Sequence, residues 1–231
     1  MSTRTALVTG ASRGLGCALA SELSHRGWRL VVDGRHAARL TAAVAQLPHP
    51  QLVTAIAGDV THPAHRAALV AAVGDRLDLL VNNASDLGPT PLPQLTDLHP
   101  AHLERVLAVN VIAPLALVQA ALPALGEARG HIVNISSDAA VEAYAGWGGY
   151  GASKAALDHL TAVLALEHPE LRAYAVDPGD MATDMHRAAA PDETGLPAPE
   201  TVVPSLLVLI EGTLPSGRYR AADLVPAEAT R

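Results

Sequence analysis

The sequence alternates regularly between short apolar, β-prone runs and longer helical patterns, and this alternation restricts the possible folds more than any other feature. We predict strands at residues 5–9, 29–33, 51–57, 77–81, 131–135, 172–176 and 218–220. We predict helices from the first turn to about residue 25 and at residues 37–46, 63–73, 100–128, 150–168 and 201–210. Strands separated by helices run parallel, because each helix carries the chain back to the start of the sheet. The sequence therefore predicts one α/β domain over residues 1–231.

A glycine-rich turn, Gly10–Gly16, joins the first predicted strand to the first predicted helix. Glycines permit a tight turn and a close approach of the backbone to a ligand, and the free N–H groups at a helix start attract phosphate. Because the turn lies at the first strand-to-helix junction of a βαβ unit, it predicts a binding site for a dinucleotide.

Composition and charge argue against several classes of protein. The net charge is −7 and the arginines are scattered, so the chain lacks the basic stripe of a nucleic-acid-binding protein. The single cysteine, Cys17, cannot form an internal disulfide, and the N-terminus has no signal-peptide pattern. The longest apolar stretches are interrupted by Asn110, Gln119 and two prolines, which argues against a membrane helix. We expect a cytoplasmic protein that binds neither nucleic acid nor membrane.

The most distinctive pair of residues is Tyr150 and Lys154. Lys154 is the only lysine among 16 lysines and arginines, so we expect it to do more than supply surface charge. The two residues are four positions apart, which places them on one face of a helix. A cation beside a tyrosine favours the phenolate and lowers its pKa. We therefore expect Tyr150 to act as a proton donor and acceptor.

Further polar residues follow the predicted strands, where α/β proteins bind ligands. The third strand leads to Asp59, the fourth to Asn82–Ser85, the fifth to Ser136 and Ser137, and the sixth to Asp177–Gly179. Residues 180–200 are of mixed polarity with several prolines, and we interpret them as a mobile flap over the site.

In order and spacing, these motifs resemble those of the short-chain dehydrogenase/reductase family over almost the whole chain. The resemblance implies a doubly wound Rossmann fold, with a seven-stranded, mainly parallel sheet and helices on both faces. Only Ser85 departs, standing where the family's fourth-strand motif ends in glycine. The implied catalytic residues are Asn110, Ser137, Tyr150 and Lys154. The implied cofactor contacts are Gly10, Ser12, Arg13, Gly14, Leu15, Gly16, Asp33, Arg35, Asp59, Val60, Asn82, Asn83, Ala84, Tyr150, Lys154, Pro178, Gly179 and Thr183.

The resemblance also implies a role for each catalytic residue. Tyr150 would give a proton to the carbonyl oxygen as a hydride reaches the carbonyl carbon, and Ser137 would hold that oxygen. Lys154 would bind the nicotinamide ribose and lower the pKa of Tyr150. Asn110 would position a water that links the lysine to solvent, and Thr183 would contact the nicotinamide carboxamide.

Two opposed signals at the end of the second strand bear on the choice of cofactor. An acid there would bind the ribose hydroxyls of NAD, whereas an arginine would pair with the 2′-phosphate of NADP. Aligned on the family's pattern, Gly34 lies where NAD-preferring members carry the acid, and Asp33 lies one residue earlier. Arg35 lies where NADP-preferring members carry a basic residue. Arg13 adds a second cation. We therefore predict NADP(H), with NAD(H) possible if Asp33 reaches the ribose.

Two histidine pairs have spacings that a metal could use, His62 with His65 and His99 with His102. Both pairs lack a third ligand at a suitable spacing, so we predict no metal site. We expect Cys17 to be a small packing residue near the cofactor.

We predict an oxidoreductase that reduces a ketone or aldehyde to an alcohol, or catalyses the reverse reaction. A non-catalytic NADP(H) sensor or scaffold protein is the alternative, and a sugar-nucleotide epimerase or dehydratase fits less well because its relatives have a larger C-terminal substrate region. The substrate is a small molecule, and we expect a homodimer or homotetramer. Candidate pocket residues are 85–89, Asp138, Tyr144, Trp147 and residues 180–190.

Overall fold

A computed structural model describes residues 3–224, so the predicted tail at 227–231 lies outside the described residues. The strands are β1 (Thr5–Val8), β2 (Arg29–Gly34), β3 (Val53–Ala57), β4 (Leu79–Asn82), β5 (His131–Ile135), β6 (Arg172–Asp177) and β7 (Gly217–Arg220). The α-helices are α1 (Gly14–His25), α2 (Ala37–Ala45), α3 (Pro63–Val73), α4 (Pro100–Leu107), α5 (Ala113–Ala128), α6 (Gly148–Glu167), α7 (Asp184–Ala189) and α8 (Val203–Glu211).

The seven strands form one sheet in the order β3-β2-β1-β4-β5-β6-β7, and every neighbouring pair is parallel. Helices cover both faces, so the predicted doubly wound fold is confirmed and the sheet is wholly rather than mainly parallel. The strand order reverses between β1 and β4, and Val8 of β1 pairs with Val32 of β2 on one side and with Val81 of β4 on the other. A reversal of this kind opens a crevice at the carboxyl ends of the strands, where ligands bind.

The core consists of two apolar layers, one on each face of the sheet. Alternate residues of a strand point to opposite faces. Val8 and its equivalents in neighbouring strands pack against α1 and α8, whereas Leu7 and its equivalents pack against α3 and α5. Phenylalanine is absent from the chain, so both layers are built mainly from alanine, valine and leucine.

The predicted helix at residues 100–128 is continuous, but its middle segment, Ala108–Ile112, is a π-helix. An 18-residue window of this helix has a mean hydropathy of 2.0, so the helix is long and apolar enough to span a membrane, and the interruptions do not by themselves exclude a span. In the structure its residues Leu117, Ala121 and Leu125 are buried against the sheet, which makes α5 a core helix of the fold.

The predicted flap at residues 180–200 is not entirely irregular, because it contains α7. Thr183 caps this helix by accepting a hydrogen bond from the His186 N–H at 3.2 Å. The His186 ring contacts the Glu193 carboxylate at 2.8 Å, and the Ala182 N–H donates to the Pro197 carbonyl at 2.9 Å. These contacts fold the flap onto itself above the carboxyl edge of the sheet.

Candidate active site

The predicted site residues meet in one cleft of about 780 Å³ at the carboxyl edge of the sheet. Those that line it are Gly10, Ser12, Arg13, Gly14, Leu15, Asp33, Arg35, Asp59, Val60, Asn83, Ala84, Ser137, Tyr150, Lys154, Pro178, Gly179 and Thr183. Cys17 also lines the cleft, as expected, and partial burial raises the pKa of its thiol, which fits a packing role.

Gly16 and Asn82 do not line the cleft, and their contact with the cofactor stays a prediction. A Cβ atom on Gly16 would lie 2.6 Å from the Gly10 carbonyl oxygen, so this glycine lets α1 start close to the turn. The Asn82 side chain is buried and its Nδ2 donates to Asn134 Oδ1 at 2.8 Å. Asn82 thus ties β4 to β5 beneath the site.

Asn83 and Thr9 hold the glycine turn against the end of β4. Asn83 Nδ2 donates to the carbonyl oxygens of Thr9 at 2.9 Å and Gly10 at 3.2 Å. The N–H groups of Asn83 and Ala84 both donate to Thr9 Oγ1 at 3.0 Å. Thr9 was not predicted as a site residue, although a hydroxyl at a strand end beside a glycine turn is a recognisable signal.

Asp33 is 1% exposed and its carboxylate faces two protein partners. Oδ1 accepts a hydrogen bond from the Gly10 N–H at 2.6 Å, and Oδ2 lies 3.0 Å from His65 Nε2. Both oxygens therefore already have a protein partner, which disfavours the direct NAD-type contact that we considered for Asp33. The strand also extends to Gly34, one residue beyond the predicted end.

The wall of the cleft also contains two residues that we did not predict, His36 at the N-cap of α2 and Arg39 in its first turn. Arg35 is exposed and lines the same wall. The Arg13 guanidinium pairs with the Asp184 carboxylate of α7, so in this structure Arg13 links the glycine turn to the flap.

Asp59 is fixed by Arg105, another residue that sequence reasoning missed. Arg105 Nη2 donates to Asp59 Oδ2 at 2.8 Å, and the Thr61 N–H donates to Asp59 Oδ1 at 2.9 Å. Partial burial favours the protonated carboxyl and so raises the pKa of Asp59, but these hydrogen bonds outweigh burial and hold that pKa well below its usual range. Asp59 is therefore a fixed anion at the edge of the cleft.

Helix α6 brings Tyr150 and Lys154 to the same side of the cleft, as the spacing predicts. Both side chains are buried, and Lys154 Nζ lies 5.4 Å from the centre of the Tyr150 ring. Lys154 Nζ donates to the Ile135 carbonyl oxygen at 2.8 Å. Gly151 allows this packing, because a Cβ atom there would lie 2.6 Å from the Ala139 carbonyl oxygen.

Burial raises the pKa of Tyr150 above its ordinary value, the hydroxyls of Ser85 and Ser137 counteract this, and the charges of Asp138 and Asp177 add to it. The Lys154 ammonium is directed to a backbone carbonyl in this structure, and its lowering of the Tyr150 pKa stays a prediction. Burial also lowers the pKa of Lys154 to about 8. The phenol is therefore protonated at neutral pH.

Ser137 follows β5 and lines the cleft beside Tyr150. Its Oγ donates to Asp138 Oδ1 at 2.9 Å and accepts from the Ala139 N–H at 3.2 Å, capping a short turn. A rotation of this hydroxyl would direct its proton into the cleft. Ser137 thus has a local structural role, and its contact with a carbonyl oxygen stays a prediction.

Asn110 does not line the cleft, and its side-chain amide has four hydrogen bonds. Oδ1 accepts from Ser85 Oγ at 3.2 Å and from the Asp86 N–H at 2.8 Å. Nδ2 donates to the Asp86 carbonyl at 2.8 Å and to Ser153 Oγ at 2.9 Å. An amide has two donors and two acceptor positions, and here the protein fills all four. The side chain is therefore a clamp between the β4 loop and α6, and the role of Asn110 in placing a water stays a prediction.

An apolar wall faces Tyr150 from the flap and the loops. Trp147 packs edge-on against Tyr150 with ring centres 5.7 Å apart, and Leu87 and Met185 complete the cluster. On the polar side, the Tyr144 hydroxyl donates to Asp138 Oδ2 at 2.9 Å. Among the predicted pocket residues 85–89, Ser85 and Leu87 reach the cleft.

One histidine of each predicted pair, His99 and His65, contacts another group of the protein. His99 accepts a hydrogen bond from the Ala101 N–H at 3.2 Å and caps α4, and His65 pairs with Asp33. Within residues 3–224, no group of three or more metal-ligating side chains comes together.

Comparisons with known proteins agree with this geometry. A family model described as short chain dehydrogenase matches residues 4–194. An uncharacterised oxidoreductase of Saccharomyces cerevisiae is 34% identical over 184 residues, covering 78% of this chain and 71% of that one. Sepiapterin reductase of Mus musculus is 36% identical over 200 residues, covering 79% and 76%. A Shigella flexneri short chain dehydrogenase, complexed with NADP, superposes with a TM-score of 0.88 at 28% identity over 95% of this chain and 97% of that one. The chain therefore belongs to the short-chain dehydrogenase family of oxidoreductases.

Proposed function

We propose that the protein is an NADP(H)-dependent oxidoreductase that reduces a small ketone or aldehyde to an alcohol, or catalyses the reverse reaction. One observation carries this proposal: Tyr150, Ser137 and Lys154 line the same cleft as the glycine turn. A proton donor, a hydrogen-bond donor and a cation are thus available where a carbonyl oxygen would gain negative charge.

The glycine turn fits a dinucleotide. Gly10 has φ +68°, and a Cβ atom there would lie 2.9 Å from the Ala84 Cα, so only glycine leaves this approach open. Helix α1 starts at Gly14 without a side-chain cap and without an acidic residue in its first turn. Its free N–H groups therefore suit a pyrophosphate. When bound, the cofactor would supply or accept the hydride.

The residues of the chain would handle the proton and the charge. Tyr150, protonated at neutral pH, would donate its phenolic proton to the substrate oxygen, with Ser137 as a second hydrogen-bond donor. With a pKa of about 8, Lys154 is mostly an ammonium at neutral pH and would stabilise negative charge on the phenol after proton transfer. The apolar wall around Trp147 would exclude water from the reacting atoms.

Three features of the adenosine end favour NADP(H) over NAD(H). Gly10 and His65 each hold one oxygen of Asp33, so the carboxylate has fewer acceptor positions left for ribose hydroxyls. A Cβ atom on Gly34 would lie 3.0 Å from the Ser12 side chain, so an NAD-type acid at position 34 would be crowded. Arg35 lines the cleft as a cation for a 2′-phosphate. The binding of NADP by the related Shigella protein is consistent with this preference.

The experiment compares kcat/KM for NADPH and NADH with one accepted carbonyl substrate, in the unaltered protein and in Arg35→Ala. We expect NADPH to be preferred and the preference to fall by about tenfold or more when Arg35 is removed. Arg76→Ala is the matched control, because Arg76 is a partly exposed arginine that pairs with Asp78 at the opposite edge of the sheet. A preference for NADH, or a ratio unchanged in Arg35→Ala, would contradict the proposal.

A further inference from the structure

His65 and Asp33 form a buried pair directly behind the adenosine end of the cleft. The His65 side chain is 8% exposed and that of Asp33 is 1% exposed, with 3.0 Å between His65 Nε2 and Asp33 Oδ2. A carboxylate oxygen only accepts hydrogen bonds, so Nε2 is the donor. A carboxylate buried to this degree is costly unless its oxygens are hydrogen-bonded.

The pair connects three segments that surround the adenosine position. Asp33 belongs to β2, and its Oδ1 accepts from the Gly10 N–H at 2.6 Å, which reaches the glycine turn. His65 lies in the first turn of α3 and covers Gly58, where an added Cβ atom would collide with the imidazole ring. Gly58 precedes Asp59 at the end of β3. Asp33, Gly58, Asp59 and Gly10 all contribute to the wall of the cleft.

The charge of Asp33 lies in the part of the cleft wall that also contains Gly34 and Arg35, the region we assign to the 2′ position of the cofactor. A free carboxylate in this place would repel a 2′-phosphate and accept hydrogen bonds from a 2′-hydroxyl, as in an NAD site. The carboxylate keeps its charge, but the Gly10 N–H and His65 fix the direction in which Oδ1 and Oδ2 point. His65 therefore sets the orientation of the oxygen that a ribose hydroxyl would otherwise bind.

We propose that His65 is a specificity-determining positioning residue, which holds the Asp33 carboxylate away from the 2′ position and thereby permits NADP(H) to bind. This inference rests on the proposed function. In this role His65 affects the cofactor only through Asp33, unlike the cations that would contact the phosphate directly.

The test measures the dissociation constants of NADPH and NADH by titration calorimetry, without turnover, for a set of variants. His65→Leu removes the donor at similar volume and is expected to lower the preference for NADPH by about tenfold, the typical effect of one hydrogen bond to a charged group. His65→Gln keeps an N–H donor and is expected to retain most of the preference. His62→Leu changes an exposed histidine at the start of the same helix and is the matched control.

The double variant Asp33→Asn/His65→Leu separates the role of charge from that of packing. If the carboxylate charge causes the effect, removing it restores the preference for NADPH to within about threefold of the unaltered protein. Thermal unfolding of every variant measures any loss of stability separately from the change in cofactor preference. Where His65→Leu does not fold, His65→Asn, which is too short to reach Asp33, is measured instead with the same expectation.

A preference unchanged in His65→Leu or His65→Asn, or a loss that persists in the double variant, would overturn the inference. These outcomes are distinct from failure of the proposed function. An unaltered protein that already binds NADH more tightly would overturn the proposed cofactor preference and the role of His65 together. An unaltered protein that prefers NADPH, with a ratio insensitive to His65, would overturn the role of His65 alone.

Discussion

Replacing Asn110 by alanine should destabilise the protein far more than an average substitution, because the amide is 1% exposed and makes four hydrogen bonds. The hydroxyls of Ser85 and Ser153 can rotate to other partners. The N–H and carbonyl groups of Asp86 cannot, and each unsatisfied group costs about 1 to 3 kcal/mol. We therefore expect the free energy of unfolding to fall by about 4 kcal/mol.

Urea denaturation followed by circular dichroism measures this loss, and thermal unfolding should show a midpoint lower by about 10 °C for a chain of this size. Gln119→Ala is the control, since Gln119 is exposed on the neighbouring helix α5 and should change stability by less than about 0.5 kcal/mol. The activity of the folded fraction should also fall, because Ser153 Oγ, a partner of Asn110, donates to the Tyr150 carbonyl at 2.6 Å. A loss of less than about 1 kcal/mol in Asn110→Ala would refute the clamp.

Two further predictions concern pH and assembly. The pKa of Lys154 is lowered from 10.5 to about 8 by burial, so between these pH values the unfolded state binds more protons and the free energy of unfolding should rise with pH. The rise should amount to at most about 3 kcal/mol and be absent in Lys154→Met. Chemical denaturation measures the unfolding free energy at each pH, and an equal dependence on pH in the unaltered protein and in Lys154→Met would contradict the lowered pKa. Ile112 and Leu166 are 59% and 82% exposed on the long helices, so we expect self-association through these faces. Light scattering should report at least twice the 23.8 kDa of one chain, and a monomer at micromolar concentration would refute this.

The fold followed from sequence periodicity because each strand and helix is encoded locally. The observed ends of strands differ from the predicted ends where strand pairing or turn geometry sets them. β2 continues to Gly34 because Gly34 pairs with Ala57, and β3 begins only at Val53 because the residues before it form a short 3₁₀ turn. The π-helical segment around Asn110 was not predictable, since it depends on hydrogen bonds to a loop that is 24 residues away in sequence.

The site was predictable where motifs carry the chemistry and not where distant side chains meet. The glycine turn and the Tyr150–Lys154 spacing are local patterns, and the cleft contains both. The pairings of Asp33 with His65 and of Arg13 with Asp184 join residues far apart in the chain. The burial that raises the pKa of Tyr150 also depends on the packed structure, and it cannot be inferred from the neighbouring cation alone.

The central claim is that Tyr150 supplies the proton in a carbonyl reduction that consumes NADPH. The most direct test follows loss of the reduced nicotinamide over a panel of ketones and aldehydes, first with the unaltered protein and then with Tyr150→Phe on each accepted compound. We predict turnover of at least one compound, and a decrease of about 10² to 10⁴-fold in kcat for the variant, with the dissociation constant of NADPH nearly unchanged. A variant that keeps more than about a tenth of the rate would contradict the claim, because general acid catalysis is worth more than that.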